Sequence, residues 1–227
     1  MPKAFLELSG YIRHAITKKK TSVWIAQREG RAKDSNDRTQ ESILKMFALS
    51  GTSSFITNLQ ELNISPVTIS YEYDPCDYLK AKEFQQKRDD ENYKKMPQDD
   101  LLNMQTGILG YKGHVNYTFT TSINPELEQI ATSIDNRKAQ IEAVVTLIDK
   151  RIHSNYRIYP INKVAYDELL NTTRFTREVS PEERTEVETY LSQQLSKIDL
   201  PNKDTDFLRH KLLEMYANPL INQLATK

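Results

Sequence analysis

Three short segments rich in β-branched and aromatic residues, separated by helical stretches, constrain the fold of this chain more than any other feature. The first, at residues 22–26, is short and apolar and is typical of a strand buried on both faces. The second, at residues 67–73, follows Pro66, and the third, at residues 114–120, alternates between polar and apolar side chains. Since the order strand, helix, strand implies crossover connections, we predict an α/β fold: a partial, mostly parallel sheet flanked by helices.

Helical patterns surround these segments and dominate the second half of the chain. Ser180 followed by Pro181 and Glu183 is typical of a capped helix start. We therefore divide the chain into an α/β core at residues 1–125 and an α-helical C-terminal extension at residues 126–227. Apolar residues at helical spacing predict helices at residues 3–18, 53–62, 98–109, 134–152 and 204–224.

Composition narrows the class of protein. The 31 lysines and arginines balance 31 aspartates and glutamates, which argues against a dedicated nucleic-acid binder. No run approaches the ~18 apolar residues that a membrane-spanning helix needs, and the first residues lack the pattern of a secretory signal. The single cysteine, Cys76, excludes an internal disulfide and a multi-cysteine zinc site. By composition we expect a soluble cytoplasmic protein without a metal site.

A basic segment follows the first predicted strand, although the chain as a whole is neutral. Residues 1–50 hold ten lysines or arginines and five aspartates or glutamates. Ligands of α/β folds bind beyond the carboxyl ends of strands, Gly30 allows close approach of the backbone, and arginine can hold phosphate through two hydrogen bonds. The alternative is a solvated loop with internal ion pairs, because Glu29, Asp34 and Asp37 are interspersed. The cations of the predicted phosphate site are Arg28, Arg31, Lys33 and Arg38.

Two sequence blocks resemble a known family. The sequence VWIAQREGR at residues 23–31 resembles the Glu-Gly-(Thr/Gly)-Arg-Ser block of the glycerolipid acyltransferases, which include glycerol-3-phosphate and lysophosphatidate acyltransferases. The sequence ISPVTISYE at residues 64–72 is similar to the later strand motif of that family, built around Pro-Val. The strand predicted around residues 115–119 has a counterpart there as well. The resemblance covers about residues 5–125.

The resemblance implies a function in phospholipid synthesis. A fatty acyl group would pass from acyl-CoA or acyl carrier protein, as co-substrate, to a hydroxyl of a glycerol-3-phosphate-type acceptor or lysolipid, with no further cofactor and no nucleic acid involved. It also implies peripheral contact with the inner face of a membrane, for which the helix at residues 3–20 is the best candidate. The alternative is that this helix belongs to the core. The residues that would bind the acceptor phosphate are Glu29, Gly30, Arg31 and Lys33. Arg28 and Arg38 would add to the positive electrostatic potential around the phosphate.

The match departs from the family pattern at the phosphate block. The family has arginine two residues after the glycine, whereas here Arg31 follows Gly30 directly, and Ala32 and Lys33 occupy the next two places. Either Arg31 or Lys33 would therefore take the phosphate role.

The catalytic block of the family, His-x-x-x-x-Asp, is not matched by any of the four histidines. The residues five positions after them are Lys19, Phe119, Ile158 and Met215. Because the histidine of that block is the general base, we assign no catalytic residue and expect an inactive, truncated form of a longer acyltransferase. The alternative is a non-catalytic module that binds a phospholipid headgroup or a protein.

The remaining candidates for chemistry have simpler structural explanations. His14 lies beside the apolar stripe of a helix, and His153 and His210 lie in basic helical segments that predict solvated side chains. Cys76 has no identifiable base or cation beside it and is predicted to be structural. The acidic residues around 89–91 and 99–100 predict a solvated loop rather than a cation site.

Overall fold

Helices dominate the computed structural model, which describes residues 3–27 and 33–227. The described residues form ten α-helices, one short 3₁₀ turn at Thr176–Glu178 and two strands. In chain order the elements are α1 (Lys3–Thr17), α2 (Glu41–Ala48), α3 (Phe55–Gln60), β1 (Val67–Tyr71), α4 (Asp77–Asp89), α5 (Pro97–Leu109), β2 (Val115–Phe119), α6 (Asn124–Ser133), α7 (Arg137–His153), α8 (Pro160–Leu169), α9 (Pro181–Ser196) and α10 (Thr205–Leu224).

The two strands pair with each other in an antiparallel sheet, so the predicted α/β fold with a mostly parallel sheet is wrong. Flanking hydrogen bonds set the register: the Glu72 amide donates to the His114 carbonyl at 2.9 Å, and the Thr120 amide donates to the Pro66 carbonyl at 3.1 Å. The segments predicted at residues 67–73 and 114–120 are therefore strands, but the chain between them returns in the opposite direction and makes no crossover.

The first predicted strand, at residues 22–26, is not a strand in the structure. Val23 and Ile25 pack, partly buried, against a small apolar cluster, whereas Trp24 is 62% exposed. Side-chain packing on one side thus holds this stretch in place without a strand ladder. The expectation that this stretch is buried on both faces is also wrong, because Trp24 is exposed.

The chain divides into two compact units that are not continuous in sequence. Unit 1 comprises Met1–Arg31, Asp37–Thr68 and Thr118–His153, and unit 2 comprises Ala32–Asn36, Ile69–Tyr117 and Ser154–Lys227.

Unit 1 contains α1, α2, α3, α6 and α7. The apolar stripe predicted on α1 is only partly internal, because Ile12 and Ala15 are buried while Phe5 and Leu8 are exposed. Polar contacts complete the docking of α1: the Arg13 guanidinium pairs with the carboxylate of Glu61 and donates to the Asn58 carbonyl at 3.0 Å.

Unit 2 is built around α4, α8, α9 and α10, whose buried side chains form one large cluster. The predicted cap of α9 is confirmed, since the Glu183 amide donates to Ser180 Oγ at 3.1 Å and the Ser180 amide donates to Glu183 Oε2 at 2.8 Å. Each of these bonds satisfies a backbone amide at the start of the helix that has no carbonyl partner within the helix. The fully buried members of the cluster include Ala81, Val164, Ala165, Leu191, Leu208, Leu212 and Ala217.

Helix α5 turns its small residues inward and its large apolar residues outward. On the inner side, Cys76 Sγ lies 3.3 Å from the Asn103 carbonyl, and Pro75 lies so close to Gly110 that a Cβ there would collide with Pro75 Cβ. Gly107 faces Cys76 as well. No residue of α5 is buried. The exposed large side chains are Leu101, Leu102, Met104, Ile108 and Leu109.

Among the described residues, no helix combines the length and the apolar character needed to cross a membrane.

Candidate functional site

The predicted phosphate site falls only partly on described residues. Arg28, Glu29, Gly30 and Arg31 lie outside them, whereas Lys33 and Arg38 lie within them. The structure therefore bears on the two cations at the C-terminal side of the basic segment. Lys33 belongs to unit 2 and Arg38 to unit 1.

In unit 2, the ammonium group of Lys33 is engaged by an acid of α4. It forms an ion pair with the carboxylate of Glu83, which also pairs with Lys87 Nζ at 3.0 Å. Burial lowers the pKa of Lys33, even though Glu83 acts in the opposite direction. Burial alone would raise the pKa of Glu83, but the hydrogen bonds from Lys33 and Lys87 outweigh it and lower that pKa. A phosphate ligand would have to compete with Glu83 for Lys33.

The residues that follow Lys33 form an anchored turn. The Asn36 amide donates to Asp34 Oδ1 at 3.1 Å, and Ser35 between them has a φ of 55°. Two amide side chains of α10 hold this turn: Asn218 Nδ2 donates to the Asp34 carbonyl at 2.7 Å, and Asn222 Nδ2 donates to Asn36 Oδ1 at 3.2 Å. The turn at residues 34–36 is therefore not a purely solvated loop, because its polar groups have specific protein partners.

In unit 1, Arg38 has an exposed side chain and stands between two anchored neighbours. His153 Nε2 lies 2.9 Å from the Asp37 carbonyl, and since a carbonyl only accepts, the ring nitrogen is the donor. On the other side, the amide and hydroxyl of Thr39 both donate to Asp149 Oδ1, at 2.8 and 2.7 Å. The backbone on both sides of Arg38 is thus fixed by side chains of one helix.

That helix is α7, and the spacing of its two residues explains the arrangement. Asp149 and His153 are four positions apart, which places them on the same face one turn from each other. They are 8% and 2% exposed, respectively. The prediction that His153 is solvated is wrong, because the side chain is buried. The basic neighbours of His153 on the helix do not reveal this, since its hydrogen-bond partner lies 116 residues earlier in the chain. The i, i+4 pair of acid and histidine was the available signal for both residues.

A second polar cluster lies deep in unit 2, around Asp77 at the start of α4. Asp77 has no exposed surface, and its Oδ2 accepts hydrogen bonds from Tyr216 at 2.6 Å and Tyr190 at 2.8 Å. Its Oδ1 accepts from the Tyr78 amide at 2.5 Å. Tyr216 in turn accepts a hydrogen bond from the Asp74 amide at 3.1 Å. The cluster ties α4, α9 and α10 together.

Burial governs the electrostatics of this cluster. It raises the pKa of Asp77 to about 7, although the two tyrosine hydroxyls act to lower that pKa. Burial and the nearby Asp77 carboxyl raise the pKa of Tyr190 and of Tyr216 above the usual tyrosine value. Both tyrosines therefore remain protonated donors at neutral pH. Sequence patterns do not reveal this cluster, since Tyr190 and Tyr216 lie 113 and 139 residues from Asp77.

The described residues contain no group of three or more histidine, cysteine, aspartate or glutamate side chains that could hold a metal ion. Cys76 is buried, and its Sγ lies 3.3 Å from the Asn103 carbonyl.

The chain matches no protein-family model, no curated protein and no solved structure. The resemblance of its two sequence blocks to the glycerolipid acyltransferases therefore stays a prediction.

Proposed function

We propose that this chain acts in the transfer of a fatty acyl group to a glycerol-3-phosphate-type acceptor, and that its basic segment at residues 28–38 binds the acceptor phosphate. The observation that carries the proposal is the block at residues 23–31, in which Glu29-Gly30-Arg31 follows an apolar stretch. The donor would be acyl-CoA or acyl carrier protein. Membrane contact, where acceptor and product reside, would be peripheral.

Two cations of the proposed site, Lys33 and Arg38, lie among the described residues. Lys33 forms an ion pair with Glu83, so a phosphate would have to displace that carboxylate. Arg38 carries a guanidinium group, which can hold a phosphate through two parallel hydrogen bonds. We keep Arg31 and Lys33 as the cations that would bind the acceptor phosphate, with Arg38 adding positive charge. The antiparallel sheet does not support the proposal, because the phosphate site was predicted at the carboxyl end of a strand in a mostly parallel sheet.

The chemistry of the reaction defines what this chain would and would not supply. In acyl transfer the acceptor hydroxyl attacks the thioester carbonyl, its proton passes to a general base, and the thiol leaves. No histidine of this sequence stands five positions before an aspartate. The proposal accordingly gives this chain a role in holding the acceptor and assigns no catalytic base.

Calorimetric titration of the purified chain with glycerol-3-phosphate tests the proposal. We expect saturable binding that is lost in the double variant Arg31→Ala/Lys33→Ala and weakened in Arg38→Ala. The exposed Arg177→Ala, outside the basic segment, is the matched control and should bind like the wild type. Binding that is absent in the wild type, or unchanged in the double variant, would remove the phosphate site.

The second candidate is a non-catalytic module that binds a phospholipid headgroup, which the missing His-x-x-x-x-Asp pattern favours. The two candidates share the phosphate chemistry and differ in the ligand that they hold. Binding of free glycerol-3-phosphate, without sedimentation with vesicles of phosphatidic acid, would support the role in acyl transfer. Sedimentation with these vesicles, without binding of glycerol-3-phosphate, would support the module.

A further inference from the structure

We propose that the outward face of α5 binds the same face of a second copy of this chain, with the two helices antiparallel. The dimer is independent of the phosphate site, because no residue of the face belongs to the basic segment. The outward face is the set of exposed side chains between Leu101 and Leu109: Leu101, Leu102, Met104, Gln105, Ile108 and Leu109.

The outward face presents contiguous apolar surface to the solvent. Its five large apolar side chains are 46% to 75% exposed. No charged residue lies between Leu101 and Leu109. The inner side of the helix already contacts Pro75 and Cys76, so the outward side is not needed to attach α5 to unit 2. Contiguous exposed apolar surface of this kind marks a contact with another molecule.

The spacing of the outward face fits a second copy of the same helix. Gln105 lies at its centre. Leu102 and Ile108 lie three positions away on either side, and the next pair, Leu101 and Leu109, lies four positions away. A two-fold contact requires that residue i of one copy meets residue j of the other, and the reverse. An antiparallel pair centred on Gln105 meets this requirement, because it places Leu101 opposite Leu109. It places Leu102 opposite Ile108 in the same way.

The polar residues of α5 favour the antiparallel order over the parallel one. At the N-terminal end lie Asp99 and Asp100, of which Asp100 pairs with Lys95. At the C-terminal end, Lys112 Nζ donates to two backbone carbonyl groups. Antiparallel helices bring Lys112 of one copy towards the acidic end of the other, whereas parallel helices bring like charges together. At the centre, two copies of Gln105 can hydrogen-bond each other, since an amide side chain both donates and accepts.

A lipid surface suits this face less well than a second copy does. Helices that lie in a membrane interface carry lysine or arginine on their polar face. The helix Pro97–Leu109 contains neither residue type, and anionic lipids would repel Asp99 and Asp100.

The area of the face sets the strength of the expected dimer. The exposed parts of its five apolar side chains amount to on the order of 300 Å² per copy. A standard complex buries about 800 Å² of total surface per partner, and weak, transient complexes bury less. We therefore expect a dimer that dissociates on dilution.

Sedimentation velocity of the full chain, over about a hundredfold range of protein concentration, tests the dimer. The wild type should show a monomer–dimer equilibrium. Leu101→Glu and Ile108→Glu each place a charge in the apolar contact and should weaken association at least about tenfold. The control is Leu170→Glu, which changes an exposed leucine of unit 2 outside α5 and should associate like the wild type.

Disulfide cross-linking tests the antiparallel order. An equal mixture of Leu101→Cys and Leu109→Cys chains should form the mixed dimer under mild oxidation, because the two positions lie opposite each other. Leu101→Cys alone should cross-link poorly, since its two copies would lie about 12 Å apart along the helix axis. The native Cys76 is buried and should not interfere.

Four results would overturn the proposal. One is a wild-type chain that stays monomeric at every concentration. Another is a dimer that Leu101→Glu and Ile108→Glu leave intact, which assigns dimerisation to a different surface. The third is cross-linking of Leu101→Cys to itself but not to Leu109→Cys. The last is a monomer that sediments with phosphatidylglycerol vesicles unless it carries Leu101→Glu, which assigns the face to a membrane. Circular dichroism checks the fold of each variant, and Ile108→Glu carries the test if Leu101→Glu does not fold.

Discussion

The hydroxyl of Tyr216 donates a hydrogen bond of 2.6 Å to the carboxyl group of Asp77, which has no exposed surface. Tyr190 donates to the same oxygen, and the two tyrosines come from different helices. A buried carboxylate is expensive unless such donors compensate for lost water. The cluster therefore makes unit 2 sensitive both to pH and to the loss of a single hydroxyl group.

We predict that Asp77 makes the stability of the protein fall as the pH rises towards neutrality. Burial raises its pKa to about 7, so the native protein holds this proton more tightly than the unfolded chain, whose aspartates titrate at about 3.9. The contribution of Asp77 to the free energy of unfolding therefore decreases between about pH 4 and pH 7 and then levels off. Urea unfolding at pH 5.5 and pH 8 measures it.

The variant Asp77→Asn isolates this effect, because its neutral amide does not titrate. The difference in unfolding free energy between pH 5.5 and pH 8 should be smaller in Asp77→Asn than in the wild type. The exposed Asp135→Asn is the control and should behave like the wild type. A wild-type difference that Asp77→Asn leaves intact would assign the pH dependence to other groups.

We predict that Tyr216→Phe destabilises the protein more at pH 8 than at pH 5.5. At the higher pH, the variant leaves a buried carboxylate with one donor fewer, which costs roughly 1–3 kcal/mol. At the lower pH, protonation of Asp77 relieves part of that loss. The exposed Tyr11→Phe should change the free energy of unfolding little at either pH. Equal destabilisation by Tyr216→Phe at both pH values would contradict a titrating Asp77.

We predict that two alanine substitutions at the C-terminal end of α5 have opposite effects on stability. A Cβ at Gly110 would collide with Pro75 Cβ, so Gly110→Ala must displace the end of α5 and should cost at least about 1 kcal/mol. A Cβ at Gly107 would meet Cys76 Sγ at 3.5 Å, an ordinary contact, so Gly107→Ala should gain up to ~1 kcal/mol of helix propensity. Thermal unfolding compares the two, and a stabilising Gly110→Ala would refute the close contact.

We predict that Glu83→Gln tightens the binding of glycerol-3-phosphate. The substitution removes the carboxylate that pairs with Lys33, so the ammonium group becomes available to a phosphate. The gain should be a few-fold, since about 1 kcal/mol corresponds to roughly a fivefold change in affinity. Titration calorimetry measures it, with the exposed Glu182→Gln as control. Weaker or unchanged affinity in Glu83→Gln would remove Lys33 from the site.

Local signals in the sequence predicted the helices well. The start of α9 followed from Ser180 and Glu183, whose reciprocal hydrogen bonds involve residues only three positions apart. The positions of β1 and β2 followed equally from their composition. Their direction did not, because composition and spacing do not state how strands pair, and the expectation of crossovers implied parallel strands.

The candidate site shows the same limit. The run of cations up to Arg38 is visible in the sequence, and so is its interspersed acidity. What engages each residue is not visible, because the partners are distant: Glu83 lies 50 residues from Lys33, and Asp149 lies 110 residues from Thr39. Contacts of this range are set by the tertiary fold, and the sequence alone does not say which residues they join.

The outward orientation of the large apolar side chains of α5 has a consequence for which substitutions its sequence can accept during evolution. Folding constrains the residue type at Gly110, because the backbone there lies close to Pro75. The side chain of Ile108, in contrast, is 69% exposed and is not part of the buried core of unit 2. Homologues under selection for folding alone would keep the glycine and exchange the isoleucine freely for polar residues. Retention of large apolar side chains along the outward face would instead record selection by a contact outside this chain.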